Sequence, residues 1–225
     1  MRFTAIIVLI IAASKVVAYE PTSKAAVPNE AAQMAANAVI ADVFKPDYEK
    51  AKTSALKIEL SKKLLDEGVA TKDDPVGRFV LFRIARDIAS QQGDLVTALD
   101  AIDRIAGEFD TDKLQMQVDA AATAIKATKQ PKANQAIVGV LAPLIDQAVA
   151  DDRYDIAKSI AALALGCAKE GRDGNQIKQI AAGAKEIEEI ASAFEKVKEA
   201  VVVLNAKPAD PAANATEGRF SCFAK

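Results

Sequence analysis

The stretch that decides the fold is DDPVGRFVLFRIARDIASQQGDLVTALDAIDRIAGEFD, residues 73–110. It opens on Asp74 and Pro75, an N-capping side chain followed by proline at the first helical position. Gly93 ends the first helical segment, and Asp94 caps a second one. Apolar residues recur at steps of three and four, which is the period of a helix with one buried face. The stretch therefore predicts two helices joined by a short turn.

Two further helices are predicted before this stretch. The first begins at Glu30 and is closed by Pro46, and the second ends at Gly68. Five residues of the first helix share an apolar face. They are Ala31, Met34, Ala35, Ala38 and Val39.

Four more helices are predicted after the stretch. They cover residues 113–128, 132–150, about 151–170, and a long segment that follows Gly174. The third of them is expected to be capped by the paired acids Asp151 and Asp152. The last has near-heptad apolar spacing through Leu204. It is therefore predicted to be a long amphipathic helix laid along its neighbours.

Composition also favours an all-α fold. Apolar residues make up 51% of the chain, aromatic residues only 5%, and β-branched residues do not form strand-like runs. The predicted helices come in pairs with short connections, and GRFVLF at 77–82 recurs as GRFSCF at 218–223. We therefore predict antiparallel helix pairs in an α-solenoid, similar to a tetratricopeptide (TPR-like) array.

The N-terminal residues 1–18 have the order of an export signal. A basic residue precedes the apolar run at 5–13, and the small residues Val16 and Ala18 place the cleavage site before Tyr19. The run is shorter than the roughly 20 residues that span a bilayer. The sequence therefore predicts an exported chain (periplasmic, cell-surface or extracellular) without stable membrane insertion after cleavage. A buried N-terminal segment and an uncleaved anchor are the alternatives.

The rest of the chain is predicted to contain four regions. A flexible leader at 19–30 precedes a helical-repeat domain at 31–205 and a linker rich in Pro and Ala at 206–217. Residues 218–225 are predicted to start a further helix that the sequence does not complete. This favours the interpretation that the chain is a piece of a longer protein.

Charge and histidine content argue against several function classes. The chain has 29 basic and 31 acidic residues with interspersed signs, so no nucleic-acid partner is expected. It contains no histidine, the commonest general base and transition-metal ligand. We predict no catalytic residue, no cofactor and no metal site. A hydrolase that uses carboxylates alone is the remaining catalytic hypothesis, and it requires two acidic side chains that converge about 5–10 Å apart.

Five residues are candidates for an interaction surface. Arg78, Arg83 and Arg86 lie in one predicted helix. We expect such arginines to form either ion pairs at four-residue spacing, as between Arg83 and Asp87, or a site for a phosphate or carboxylate. The other two candidates are Phe220 and Phe223, which would form an exposed apolar edge.

The two cysteines do not form a disulfide framework. Cys167 lies in a segment of small residues and is predicted to be a buried, unreactive thiol. Whether it pairs with Cys222 is left open by the sequence.

The stretches PDYEKAKTSALKIELSKKLLDEG at 46–68 and KDDPVGRFVLFRIARDIASQQGDLVTALDAIDRIAGEFD at 72–110 carry a family resemblance. They resemble the helical-repeat region of large secreted or surface proteins from planctomycete-type bacteria, and EGRFSCFAK at 217–225 is similar to the start of that family's next segment. The resemblance covers roughly residues 30–225. It implies a scaffold beside separate sugar-binding, lectin-like or formylglycine-generating-enzyme-like modules, and it supplies no catalytic residue.

The predicted function is that of an exported, non-catalytic helical scaffold or protein-interaction module. The alternative is an accessory region of a larger surface enzyme or carbohydrate-binding protein whose active domain lies beyond this chain. The expected partners are another protein or C-terminal domains missing from this chain. The amphipathic last helix also permits self-association.

Overall fold

A computed structural model of the chain describes residues 24–128 and 131–223. Within these ranges the protein consists of α-helices joined by short turns, without β-strands, so the predicted all-α fold is confirmed. The described helices are α1 Glu30–Val43, α2 Lys45–Lys50, α3 Ser54–Ala70, α4 Pro75–Gln91, α5 Leu95–Glu108, α6 Lys113–Ala127, α7 Pro131–Ala150, α8 Tyr154–Glu170, α9 Gly174–Ala206 and α10 Pro211–Phe223.

Aspartate side chains begin four of these helices. Asp74, Asp94, Asp112 and Asp173 are the N-caps of α4, α5, α6 and α9. Each carboxylate accepts a hydrogen bond from a backbone N–H two or three residues later. These bonds satisfy donors that a helix N-terminus otherwise leaves free. The capping predicted at Asp74 and Asp94 is confirmed.

Three connections between helices share one backbone geometry. In each, a residue with positive φ follows the helix: Gly93 at 80°, Asp152 at 56° and Arg172 at 55°. The N–H of the next residue donates to the carbonyl of a fully buried alanine five positions earlier. This is the Schellman helix ending, and it joins α4 to α5, α7 to α8, and α8 to α9. The three alanines are Ala89, Ala148 and Ala168.

Asp151 and Asp152 do not cap α8, which corrects the prediction. α8 begins at Tyr154 after Arg153, whose side chain makes no capping bond. Asp152 instead ends α7 in the left-handed region, which aspartate enters more readily than most residues. Its carboxylate accepts a hydrogen bond from the Tyr154 hydroxyl at 2.9 Å. The acidic pair therefore belongs to the end of one helix rather than to the start of the next.

Helices that follow each other along the chain pack against each other from α3 to α10. In addition, α4 contacts α1 and α6, and α6 contacts α8. The buried side chains form two clusters. We call them the N-terminal cluster (buried residues of α1, α3, α4 and α5 with Phe44, Ala51 and Phe109) and the C-terminal cluster (Ala89 of α4 with aliphatic residues and Cys167 from α5 to α9).

Phenylalanine rings fill much of the N-terminal cluster. Phe44, Phe79, Phe82 and Phe109 are all buried there. The Phe79 and Phe109 rings meet edge to face, with centroids 5.0 Å apart and planes at 75°. Aromatic pairs favour this arrangement because the ring edge is positive and the ring face negative.

Gly68 does not end its helix, which corrects a second prediction. α3 continues to Ala70, and Gly68 is buried against the Phe82 ring. A Cβ atom at Gly68 would lie 2.5 Å from Cε1 of Phe82. Glycine is therefore needed here because the ring occupies the space that any side chain would take.

None of the described buried residues of the C-terminal cluster is aromatic. Half of them are alanines, with Ile102, Leu141 and Ile160 among the larger residues. Cys167 is fully buried in it. Small side chains allow helix backbones to approach closely, so this half of the protein is built on short distances between helices.

The end of the predicted leader is attached to the helical domain. The N–H of Ala25 donates to the carbonyl of Glu108 at 2.8 Å, and the N–H of Asp110 donates to the carbonyl of Ala25 at 2.8 Å. The leader at 19–30 is therefore fixed at this point rather than flexible. Its first residues lie outside the described part of the chain.

The C-terminal end differs from the prediction of a linker at 206–217 and a helix start at 218. α9 extends over 33 residues to Ala206, and α10 already begins at Pro211. The Asp210 carboxylate accepts hydrogen bonds from the N–H groups of Ala212 and Ala213. Asp210 and Pro211 thus repeat the start signal of Asp74 and Pro75.

Among the described helices, α7 is the one that is long and apolar enough to cross a membrane by length and composition. Leu141 and Ala148 of this helix are fully buried in the C-terminal cluster. Core helices of this length pass the same test, so it is weak evidence for a membrane span.

Candidate functional site

The structure does not bring the three candidate arginines together. Arg78, Arg83 and Arg86 project from α4 toward different neighbours, and each contacts an acceptor within the chain. They therefore do not form a shared site for one anion. The acceptors are Glu108, Asn37 and Asp87, respectively.

The ion pair expected between Arg83 and Asp87 is not formed. Arg86, the neighbour of Asp87 in sequence, binds that carboxylate through Nε at 2.8 Å and through a terminal nitrogen at 2.7 Å. Arg86 also lines a polar cavity of about 180 Å³ between α4 and α6. Asp87 thus occupies the Nε–Nη2 edge of the Arg86 guanidinium, and Nη1 donates to Sδ of Met116 at 3.7 Å.

A second polar cavity of about 310 Å³ lies between the start of α8 and the middle of α9. The rings of Tyr154 and Phe194 line it, with centroids 5.0 Å apart. Burial and the hydrogen bond to Asp152 raise the pKa of the Tyr154 hydroxyl to about 12. The phenol therefore stays protonated at neutral pH and is not available as a base.

Arg153, beside that cavity, connects two helix starts. Its guanidinium donates two hydrogen bonds of 2.6 Å to the carboxylate of Asp112, the N-cap of α6. This bidentate pair joins the N-termini of α6 and α8. The hydrogen bonds from Arg153 hold the pKa of Asp112 below its ordinary value of 3.8.

A largely apolar groove of about 370 Å³ lies between α7 and α9, with α8 as its floor. We call it the α7–α9 groove. Gly139 on one wall and Gly183 on the other leave open space, since a Cβ atom at either position would meet nothing within 4 Å. The apolar lining is completed by Val138, Ala142, Ile145, Ala161, Ile180, Ala184 and Ile187.

Two acceptor groups at this groove lack a partner. The side-chain Oε1 of Gln176 is buried without a hydrogen-bond donor. Asp146 is exposed at the groove and forms no ion pair with any residue that the structure describes. An apolar groove with two free acceptors is suited to a ligand that combines apolar side chains with a hydrogen-bond donor or a cation.

The groove was not predicted from the sequence. Gly139 and Gly183 are helical glycines within apolar periodic segments, and glycine in such a position reduces helix stability. These two helical glycines were the feature of the sequence that could have indicated open space beside the helices. The lining comes from three helices, so only their packing brings Asp146 and Gln176 to one groove.

The apolar face predicted for the first helix lies at the surface. Met34 and Val39 are 66% and 63% exposed, whereas Ile40 and Phe44 at the other side of α1 are buried. The sequence therefore identified an apolar face, but it is not the one that packs in the N-terminal cluster.

No group of three or more acidic or cysteine side chains that could hold a metal ion occurs in the described ranges. Cys167 is a free, fully buried thiol, as predicted. Burial, with a smaller contribution from Glu170, raises the pKa of this thiol. A buried thiol of this kind is a poor nucleophile because little thiolate forms at neutral pH.

Four predicted positions lie outside what the structure describes. Ala18 and Tyr19, the predicted cleavage site, precede residue 24. Phe220 and Phe223 belong to the last turns of α10, where only the backbone is described. The apolar edge expected at Phe220 and Phe223 therefore stays a prediction.

Comparisons with family models, with curated proteins and with solved structures find no match to this chain. The resemblance to planctomycete-type repeat proteins stays a prediction, and the functional proposal depends on the geometry of the chain itself.

Proposed function

We propose that this chain is an exported, non-catalytic helical scaffold that binds an amphipathic helix of a protein partner in the α7–α9 groove. The observation that carries the proposal is the combination of an open apolar groove with unpaired acceptors at Gln176 and Asp146. Helix-in-groove recognition uses apolar anchor residues on one face of the bound helix. The groove is large enough for one or two such anchors.

The arrangement of helices supports an α-solenoid of helix pairs as the scaffold. Three of the short connections share one Schellman turn onto a buried alanine, so successive helices are joined by a recurring backbone geometry. The helices α4, α6 and α8 contact one another in order, whereas α7 and α9 stand on opposite sides of the groove. The layer of α4, α6 and α8 is thus closely packed, whereas α7 and α9 in the other layer are separated. This difference between two layers is the geometry of a curved helical array.

The charge of the α7–α9 groove indicates which class of partner helix it would bind. Among the described residues that line the groove, Asp146 is the charged one, and the free acceptor of Gln176 also requires a donor. We therefore propose a partner helix that carries Lys or Arg beside its apolar residues.

Two designed helical peptides test this assignment. They share one face of Leu and Ala and differ only in carrying either Lys or Glu beside it. The chain is expected to bind the Lys peptide about three- to tenfold more tightly in fluorescence anisotropy, since an exposed ion pair contributes about 1 kcal/mol. The charge reversal Asp146→Lys is expected to invert this preference. Equal binding of both peptides by both proteins would contradict the proposal.

Filling the groove provides a second arm of the same experiment. Gly183→Leu places a side chain in the open groove without a clash within the chain. Gly107→Leu is the matched control, since Gly107 is also a helical glycine with open space around it but lies in α5. We expect Gly183→Leu to abolish peptide binding and Gly107→Leu to retain it. The groove assignment is rejected if the two variants bind the peptides alike.

Export is proposed from the signal-like residues 1–18. Expression in an exporting host followed by N-terminal sequencing checks it. The expected first residue of the exported chain is Tyr19. A chain retained in the cytoplasm with its first 18 residues intact would contradict export.

A further inference from the structure

The helix α7 contains a proline beside the α7–α9 groove. Pro143 lies inside this helix and has no backbone N–H. In a regular α-helix the N–H at such a position donates to the carbonyl four residues earlier, which here is the carbonyl of Gly139. The Gly139 carbonyl is therefore left without its helical donor.

The same carbonyl is also uncovered. Gly139 is exposed and lines the groove, and a Cβ atom at this position would meet nothing within 4 Å. A residue without a side chain lets a ligand approach the backbone closely. The groove thus offers a peptide oxygen as a third acceptor, besides the carboxylate of Asp146 and Oε1 of Gln176.

Two of these three acceptors lie on one face of α7. Gly139 and Asp146 both line the groove and are separated by two helical turns, or about 10 Å along the axis. The carbonyl groups of a helix point toward its C-terminus, whereas its side chains lean toward its N-terminus. The Gly139 carbonyl and the Asp146 side chain therefore extend toward the same stretch of the groove from opposite ends.

We infer that these two acceptors make the groove selective for arginine over lysine on the partner helix, and this inference rests on the proposed function. A guanidinium has five N–H donors in a planar fork, so it donates to a carboxylate and to a carbonyl at the same time. A lysine ammonium has its three donors on one atom and acts as a point charge. None of the described lining residues is basic, so the partner supplies the cation.

Two peptides that differ at one position test the selectivity. They share one face of Leu and Ala and carry either Lys or Arg beside it. We expect fluorescence anisotropy to show about tenfold tighter binding of the Arg peptide, because its guanidinium adds a charge-assisted hydrogen bond to the Gly139 carbonyl. Equal or weaker binding of the Arg peptide overturns the selectivity and leaves the groove assignment standing. If neither peptide binds, the proposed function fails and the selectivity fails with it.

The variant Pro143→Ala tests the part played by the carbonyl. Alanine restores the N–H at residue 143, which then donates to the Gly139 carbonyl and competes with the partner for it. We expect this variant to bind the two peptides about equally, with the affinity for the Lys peptide unchanged. Pro208→Ala is the control, since Pro208 is also exposed but lies outside α7, and it should keep the preference for arginine.

Circular dichroism checks that both variants keep the helical fold. A preference for arginine that persists in Pro143→Ala overturns the role of the Gly139 carbonyl. Loss of Lys-peptide binding in Pro143→Ala also overturns it, because the proline would then act through the shape of the groove rather than through one acceptor.

Discussion

The N-terminal cluster encloses four phenylalanines between α1, α3, α4 and α5, whereas half of the described buried residues of the C-terminal cluster are alanines and none is aromatic. Both belong to one all-α fold, and α4 and α5 contribute to each. In the first, ring size sets the distance between helices, and Gly68 makes room for Phe82. In the second, small side chains let α8 pack closely against both α7 and α9. The two clusters should therefore fail under opposite changes.

The largest effect is expected from removal of a ring. Phe82→Ala empties a fully buried position in the N-terminal cluster and should lower the free energy of unfolding by about 3–5 kcal/mol. Urea denaturation followed by circular dichroism measures the change. Val96→Ala, at an exposed position of α5, is the control and should change stability by less than about 0.5 kcal/mol. A loss below about 1 kcal/mol for Phe82→Ala would show that the cluster collapses into the space.

The opposite change should break the C-terminal cluster. Ala164 is 1% exposed in α8, which packs against both α7 and α9. Ala164→Leu adds a side chain where no space is available and should destabilise the fold by about 1–3 kcal/mol. Alanine and leucine have similar helix propensities, so the loss reports packing.

The matched control for this change is Ala162→Leu. Ala162 belongs to the same helix but is exposed. It should leave the urea midpoint nearly unchanged. If Ala164→Leu were as neutral as Ala162→Leu, the C-terminal helices would not be closely packed, and the contrast between the clusters would be lost.

The smallest effect concerns the ion pair that connects α6 to α8 within the C-terminal half. The hydrogen bonds from Arg153 lower the pKa of Asp112 in the folded chain. Ionised Asp112 therefore contributes stability above its unfolded pKa, near 3.8, and the contribution is lost as the pH falls below that value. Both side chains are more than a third exposed, so the contribution is about 0.5 kcal/mol or less.

Asp112→Asn isolates this contribution because asparagine is also a good N-cap. The stability difference between the original chain and this variant should be constant at pH 5–7 and should shrink as the pH falls below 3.8. Urea midpoints across this range measure it. Asp100→Asn, which removes an ion pair confined to α5, is the reference for general charge effects. A difference that grows as the pH falls would contradict the assigned sign.

Local signals in the sequence predicted much of the fold because their physics is local. Asp74, Asp94 and Gly93 act through hydrogen bonds and dihedral angles within a few residues. The same signal at Asp210 and Pro211 was missed because the surrounding alanines and prolines were interpreted as a linker. Asp152 was misassigned because an aspartate at a turn serves equally well to end one helix or to cap the next.

Side-chain partners between helices could not be predicted. Arg83 and Asp87 have the spacing of an ion pair, but Arg86 takes Asp87 and Arg83 contacts Asn37 of α1. Gly68 is needed because of a ring that lies 14 positions later in the sequence. The α7–α9 groove depends on the distance between α7 and α9, which flank α8. The apolar periodicity of a single helix does not determine the distance between two helices.

The sequence by itself determined that this chain is helical, where most helices begin and end, and which faces are apolar. Caps, prolines and apolar periods of three and four residues act over one or two helical turns, so the linear sequence contains them. Tertiary structure alone decided what covers each face. The stripe through Met34 and Val39 is as apolar in sequence as the side of α1 that carries Ile40, yet only the latter meets α4, because a helix can turn just one of its faces to the core.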